Sequence, residues 1–286
     1  MTIAITGASG ALGRASADVV LQAVDPREVV LTTRCPESLG DLAARGVDVR
    51  RVDFADPRTL ATAFAGVDRL LLISTDAIGA RLDQQRAAIS AAADAGVGHV
   101  IYTSVPEPVA ANPALVVADH AGTEQALRDS NLQWTMLRNN LYAHMQGSGV
   151  EHAVASGRLV TNGGAGATAY VTRADCAAAA AAVLTQDGHE DQVYDITGPE
   201  ALSAVDLVAL AREISGRDVE LVIADDAAFM AGLLAAGLPH GAAELVTSFG
   251  AATRGGFLAN VSSAVADLTG HTPTALAAVV RAALKS

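Results

Sequence analysis

The chain is predicted to fold as an open, doubly wound parallel α/β sheet with a smaller, mostly helical C-terminal lobe. Three observations predict this. Short apolar runs alternate with helical patterns through the first half, the signature of parallel strands joined by crossover helices. Those runs are apolar almost throughout, as strands covered on both faces must be. A glycine-rich turn, Gly7-Ala8-Ser9-Gly10-Ala11-Leu12-Gly13, stands directly between the first run and the first helical pattern.

Taken in order, the expected strands are Thr2–Thr6, Glu28–Thr33, Val47–Val52, Arg69–Ser74, His99–Thr103 and Trp134–Arg138. Helices are expected near Ala11–Val24, Glu37–Ala44, Pro57–Ala65, Gly79–Ala95 and Ala114–Asp129, several ending at a stop signal such as Gly46, Gly66 or Gly96. In the second half, Asn162–Gly166 reads as a flexible loop by composition, and Thr172-Arg173-Ala174-Asp175 opens an Ala-rich helix. Gln192–Thr197 reads as a strand, Ser203 as the N-cap of a helix reaching Ile214, and Val219–Ile223 as another short strand. Asp225-Asp226 reads as a helix-start cap rather than a catalytic pair, and the tail is helical with breaks at Gly237-Leu238-Pro239, Gly255-Gly256 and Gly270. Met145 and Met230 are expected to fill packing gaps.

A chain of 286 residues can bury one large core, or one core and a lobe. Apolar residues make up 51%, but alanine carries much of that share and aromatics are only 3%. The most apolar run, Cys176 to Leu184, is nine residues, far short of the roughly 20 that span a bilayer. No basic start or cleavage site precedes the first strand, so a cytoplasmic protein with no membrane partner is expected. The formal charge of −12 argues against nucleic acid, which needs a basic stripe. Cys35 and Cys176 stand alone as free thiols, and the histidines show no metal-ligand spacing. A homo-oligomer is compatible with all of this.

The glycine turn carries the first functional reading. The chain must turn sharply, let its backbone approach a pyrophosphate, and pack helix close against strand; Gly7, Gly10 and Gly13 serve these needs. The helix N-terminus then offers free N–H groups to phosphate, so Thr6, Ser9, Ala11 and Leu12 join the glycines as a dinucleotide-binding set of the Rossmann type. At the end of the second strand, NAD-specific sites place an acid to bond the ribose 2′-hydroxyl. This chain has Thr32-Thr33-Arg34 instead. A guanidinium suits a 2′-phosphate and a carboxylate would repel it, so the expected cofactor is NADP(H). Residues 1–140 are then the NADP(H)-binding domain, with the strand near 192–197 returning to it, and residues 141–286 are mostly a substrate-side lobe packed closely on it.

The Gly7/Gly10/Gly13 turn, Arg34 and Asp53 after the third strand together resemble the atypical short-chain dehydrogenases called NmrA-like. Leu137-Arg138-Asn139, His120-x-x-x-Glu124 and the ending Leu268-Thr269-Gly270-His271-x-Pro273-x-x-Leu276 resemble its NADPH:quinone reductase (type 2) and triphenylmethane reductase branch. The resemblance runs over essentially the whole chain. It implies that Asp53 and Phe54 lie on the adenine side and that Ser74 and Thr75 line ribose and pyrophosphate. It further implies that Thr103 and Ser104 lie near the nicotinamide, and that Asn139 and Tyr142 border nicotinamide and substrate.

Ordinary short-chain dehydrogenases carry a Tyr-x-x-x-Lys pair on the helix after strand five. Here His120 stands at the lysine position and Val116 at the tyrosine position, so the usual proton donor is missing. Hydride delivery to a simple ketone leaves an alkoxide, with a basicity near that of hydroxide (water pKa about 15.7), and demands an acid. Delivery to a quinone leaves a phenolate with a pKa of about 10, and delivery to a cationic triarylmethane dye needs no proton. The expected activity is therefore direct hydride transfer, without flavin, to a small delocalised aromatic acceptor. The catalytic candidates are His120, to bond a ribose or relay a proton, Tyr142, to orient the acceptor, and Asn139. Two alternatives stand beside it: an NmrA-like NADP redox sensor without turnover, which would also lack the pair, and a reductase of the isoflavone-reductase kind, whose members keep a lysine where His120 stands.

Overall fold

A computed structural model describes residues 1–60 and 62–284 of the chain. In chain order the first half runs β1 (Ile3–Ile5), α1 (Ala11–Val20), β2 (Val29–Thr33), α2 (Gly40–Ala43), β3 (Asp48–Arg51), β4 (Arg69–Leu72), α3 (Arg81–Asp94), β5 (His99–Ser104), α4 (Val117–Arg128) and β6 (Gln133–Asn139). It continues with α5 (Ala143–Ser156), β7 (Arg158–Thr161), β8 (Ala167–Thr168), α6 (Arg173–Thr185), β9 (Gln192–Ile196), β10 (Leu202–Ser203) and α7 (Ala204–Ser215). The tail holds β11 (Glu220–Ile223), α8 (Asp226–Ala235), α9 (His240–Arg254), α10 (Ala264–Thr269) and α11 (Leu276–Ala283).

Seven strands form one parallel sheet in the order β3-β2-β1-β4-β5-β6-β9. The order reverses between β1 and β4, where ligands bind at the carboxyl ends of such sheets. Successive side chains of a strand point to opposite faces, and the core divides accordingly. Ile3, Ile5, Leu31 and Leu71 pack with α1, α6 and α10, while Ala4, Val30, Leu70, Leu72 and Tyr102 pack with α3 and α4. Edge strand β3 carries Asp48, Arg50 and Arg51 and none of its residues is buried, which discourages pairing with another chain.

The connections on either side of β3 differ from expectation. The predicted helix Glu37–Ala44 is a 3-10 turn, Pro36–Leu39, followed by the single turn α2. The predicted helix Pro57–Ala65 is a 3-10 turn, Pro57–Thr59, and its Ala61 lies outside the described residues. At the sheet edge there is little apolar surface for a full amphipathic helix to cover. α1 likewise stops at Val20 instead of Val24, the remainder forming turns.

Beyond residue 141 the chain is divided between two layers. Helix α6 lies along α1, β9 pairs with β6, and α10 packs on α6, all within the sheet layer. The lobe is built from α5, α7 and α11 around Val150, Leu207, Leu276 and Val280, with α8 and α9 beside them. Two small ribbons brace it: β7 pairs parallel with β11, and β8 antiparallel with β10. Sequence reading found β11 but not its partner β7, nor α5. Ser203 does cap α7, in a reciprocal capping box with Asp206, and Asp225 caps α8 through the Ala228 N–H at 2.7 Å. The Asn162–Gly166 segment, expected to be flexible, is pinned: buried Asn162 donates to Asp226 Oδ1 at 2.8 Å and to Thr247 O at 2.9 Å.

Candidate active site

Gly7 adopts φ +60°, a left-handed turn that suits glycine. The Gly10 N–H closes the turn onto Gly7 O at 2.9 Å. A Cβ on Gly13 would stand 2.3 Å from Gly7 O and 2.8 Å from Ala8 Cα, so only glycine lets α1 approach this closely. The N-cap residue, Gly10, offers no side-chain cap and the first turn holds no acid, which leaves the N–H groups of Ala11, Leu12 and Gly13 directed at the cleft. Gly7, Ser9, Gly10 and Ala11 are exposed, while buried Leu12 anchors the helix. This cradle fits a pyrophosphate.

Around it, Ser9 Oγ and Thr33 Oγ1 lie 2.8 Å apart, tying the turn to the end of β2. Arg34 follows, exposed and, among the described residues, in no ion pair. Its guanidinium is therefore available at the rim where a 2′-phosphate would lie. Asp53 accepts from the Ala55 N–H at 3.0 Å and shapes the loop after β3, with half-buried Phe54 packed on the core beneath.

Four expected contact residues instead act on other protein groups. The Thr6 hydroxyl is buried, donating to Leu71 O (3.2 Å) and accepting from the Ile73 N–H (2.9 Å), so it splices β1 to the end of β4. The Thr103 hydroxyl accepts from the Ser74 N–H at 2.9 Å and holds the loop after β4. Ser104 donates to Glu124 Oε1 at 2.7 Å. His120 is 3% exposed and both ring nitrogens are occupied. Arg81 Nη1 lies 3.1 Å from its Nε2, and Tyr102 Oη lies 2.7 Å from its Nδ1. A guanidinium only donates, so the network assigns Nε2 as acceptor and places the ring proton on Nδ1, donated to Tyr102. Burial, reinforced by the Arg81 charge, lowers the His120 pKa to about 3. At neutral pH the ring is therefore uncharged, with both nitrogens engaged by protein groups rather than open to the cleft. Arg81 Nε also donates to Thr75 O at 2.5 Å, so the buried network that includes His120 braces the loop carrying Ser74 and Thr75. Thr75 Oγ1 in turn donates to Gln84 Oε1 at 3.1 Å.

A second buried network supports Asn139. Glu124 receives two hydrogen bonds from Arg138, at 2.9 and 2.8 Å, and one from Arg128 at 3.0 Å. Burial acts to raise its pKa, but the hydrogen bonds from Arg138 and Ser104 outweigh it and hold the carboxyl below its ordinary range. Asn139, next to Arg138 at the end of β6, is 8% exposed and its Oδ1 has no protein partner. A buried amide oxygen without a partner is costly, and a ligand donor at this end of the cleft would satisfy it. Three residues on, Tyr142 precedes α5, with Arg173 over its ring at 5.3 Å. Burial raises the Tyr142 pKa, so its hydroxyl remains a hydrogen-bond donor through the neutral range. Val116, at the position of the usual proton-donating tyrosine, is buried in an apolar cluster with Val117, Ala252 and Leu258.

Sequence reading missed Arg81, Gln85 and Tyr102, and misjudged the surroundings of His120. A signal was present: Val117, His120, Glu124 and Leu127 recur at helical spacing, which puts both polar residues on the apolar, inward stripe of α4. Met145 is also misjudged, since it is 50% exposed and borders a cavity in the lobe instead of filling a gap.

The profile of a family described as NAD(P)H-binding matches residues 7–187. Quinone oxidoreductase 2 of Escherichia coli is 36% identical over 275 residues, covering 96% of both chains. The crystal structure of that NADPH-dependent enzyme with NADPH superimposes with a TM-score of 0.94 over 98% of each chain. The Citrobacter triphenylmethane reductase complexed with NADP(H) gives 0.93 at 33% identity, over 99% of this chain and 100% of that one. An NmrA-like family oxidoreductase of Aspergillus flavus is 31% identical over 77% of this chain and 74% of its own. With its glycine cradle, its free helix N-terminus and these relatives, the chain belongs to the NAD(P)H-binding family, in its NmrA-like branch.

Proposed function

We propose that the chain is an NADPH-dependent reductase that delivers hydride directly, without flavin, to a quinone-like aromatic acceptor. The observation that carries this reading is the state of α4: the tyrosine position is buried Val116, and His120 is locked neutral beneath Arg81. The position of the usual proton-donating tyrosine therefore supplies no acid. Bound NADPH would supply a hydride, turning a quinone into its hydroquinone monoanion, with the second proton drawn from water. Such an anion, comparable to a tyrosinate with a pKa of about 10, needs little acid assistance.

In this reading the chain's residues bind and orient. The N–H groups of Ala11, Leu12 and Gly13 take the pyrophosphate, and Arg34 takes the 2′-phosphate. Ser74, Thr75, Asp53 and Phe54 line the adenosine and ribose side. Asn139 Oδ1 accepts from the nicotinamide amide, which relieves its missing partner. Tyr142 donates to the acceptor oxygen, and the Arg173 guanidinium adds positive potential beside it. That two relatives are reductases of a quinone and of triphenylmethane dyes supports a flat, delocalised acceptor.

The test is NADPH consumption with a simple benzoquinone or naphthoquinone, beside an NADH control and an Arg34→Ala variant. Rapid oxidation of NADPH over NADH is expected, and Arg34→Ala should weaken NADPH by roughly 10- to 100-fold, as loss of a charge-assisted bond does, with NADH little changed. Tight NADPH binding with no turnover would replace this reading with the redox sensor.

A further inference from the structure

A cavity of about 610 Å³ lies in the lobe, opening beside Leu141 and Tyr142, immediately after Asn139. One wall is a single face of α5, formed by Tyr142, Met145, Gln146, Gly149, Ala153 and Ser156. Those positions span fourteen residues of helix, so the groove runs roughly 21 Å at 1.5 Å per residue. Across it stand Phe229, Gly232, Leu233 and Ala236 of α8, with Val246 and Phe249 of α9. Among the described residues no Asp, Glu or Lys borders it; the Tyr170 hydroxyl there donates to Gln146 Oε1 at 3.1 Å, and His152 and Arg158 sit at the end far from Tyr142, where Arg158 pairs with Glu220.

Helix α8 gives an independent indication. Its sequence, DAAFMAGLLA, is that of a core helix, yet none of its residues is buried. One end is fixed, because Asp226 receives two hydrogen bonds from Arg254, at 3.0 and 2.9 Å, and one from Asn162 at 2.8 Å. The other end runs into Gly237 at φ +90°. Beside its packing on α9, α8 thus turns Phe229, Gly232, Leu233 and Ala236 to the groove, a wall of apolar surface for something apolar.

Resting on the quinone-reductase reading, we propose that this groove receives the apolar side chain of the acceptor, so that the substrates are quinones bearing an alkyl or isoprenoid chain. The reacting ring must lie at the Tyr142 end, beside the residues assigned to the nicotinamide. One- or two-ring quinones fill only a small part of a cavity sized for a drug-like ligand. The remaining space is mostly apolar and runs away from the reaction site along α5. The chain enters ring-last, and its tip reaches the polar end at His152 and Arg158.

The experiment compares 2,3-dimethoxy-5-methyl-1,4-benzoquinone with its 6-decyl derivative, which share one ring. Each buried methylene contributes up to about fourfold, and kcat/KM for NADPH oxidation is expected to rise at least 30-fold with the decyl chain. Gly149→Leu and Gly232→Leu fill the groove from opposite walls. A Cβ at Gly149 comes no closer than 3.5 Å to Gln146, and one at Gly232 meets nothing within 4 Å, so neither strains the fold. Each should reduce the decyl-to-parent ratio below about threefold. Calorimetric binding of the same two quinones to NADP⁺-loaded protein provides a readout independent of turnover, with the decyl compound expected to bind at least tenfold tighter. Equal binding of the two, or a decyl advantage that survives both glycine substitutions, overturns the groove assignment. Turnover of the parent quinone without chain-length gain overturns it too and leaves the reductase reading intact. If neither quinone turns over, the reductase reading fails, and the binding ratio alone decides whether the groove is an alkyl-chain site.

Discussion

At the sheet end of the cleft, most buried polar groups near the site pair with one another, Asn139 Oδ1 being an exception. Glu124 binds Arg138, Arg128 and Ser104, His120 binds Arg81 and Tyr102, and Thr6 joins two strands. At the lobe end, a wall of the groove is the apolar α8 with no buried residue, packed on α9 and tied at its start through Asp226 to Arg254 and Asn162. The first region has a unique arrangement, because any missing partner strands a buried charge or dipole. The second depends on shape and apolar area, which tolerate change. On the proposed reading, the difference marks the lobe as the place where substrate range can vary without disturbing the cofactor.

The contrast is most severely tested at Glu124. Glu124→Ala would leave Arg138 without its carboxylate and is expected to cost about 3–5 kcal/mol, read as a fall in the denaturant midpoint. A loss under about 1 kcal/mol, the level of an ordinary surface change, would break the claim that this end is held by polar pairing. Gly13→Val comes next. Its Cβ would overlap the Gly7 carbonyl, so NADPH affinity should fall at least a hundredfold by titration, with a stability loss of about 1–3 kcal/mol.

Third is acid sensitivity. His120 is depressed to about 3 by burial and the Arg81 charge, and burial also lowers His99. The unfolded chain then binds protons that the folded chain refuses, so stability is full above pH 6.5 and declines as pH falls toward 3. The slope is at most about 1.4 kcal/mol per pH unit for each histidine. Urea midpoints at pH 7 and 5 should differ, and His120→Asn should narrow the gap; an unchanged gap would sink the assignment. The same variant should leave no inflection near pH 6.5 missing from kcat/KM, because neutral His120 contributes none. The smallest effect is expected in the lobe. Phe229→Ala should change stability by less than about 1 kcal/mol, against about 3–5 for a phenylalanine packed in a core, while raising KM for a decyl quinone. A core-sized loss would erase the contrast between the two regions.

Much of the sheet end was legible in the sequence. β1, β2 and β4 to β6 are apolar runs beside local turn signals, and the glycine turn declares itself by position. The lobe was not, for two physical reasons. Helix α5 contains Gly147, Ser148 and Gly149, poor helix formers, and exists because Val150, Ala153 and Val154 pack against α7 and α11. β7 is four residues long and gains its identity from β11, whose sequence lies far along the chain. Site residues followed the same rule. Gly13 and Arg34 could be read locally, whereas the role of His120 depends on Arg81 and Tyr102, which no local pattern joins to it.

The pairing of α1 with α6 has a consequence for the order of assembly. The apolar stripe of α1, with Leu12, Ala17 and Val20, is covered by a helix that ends at Thr185. A growing polypeptide therefore makes the glycine turn well before α6, and cannot clamp the helix behind that turn until residue 185 has been made. The turn that forms the cradle is thus held in place by a helix, Arg173–Thr185, that is made much later.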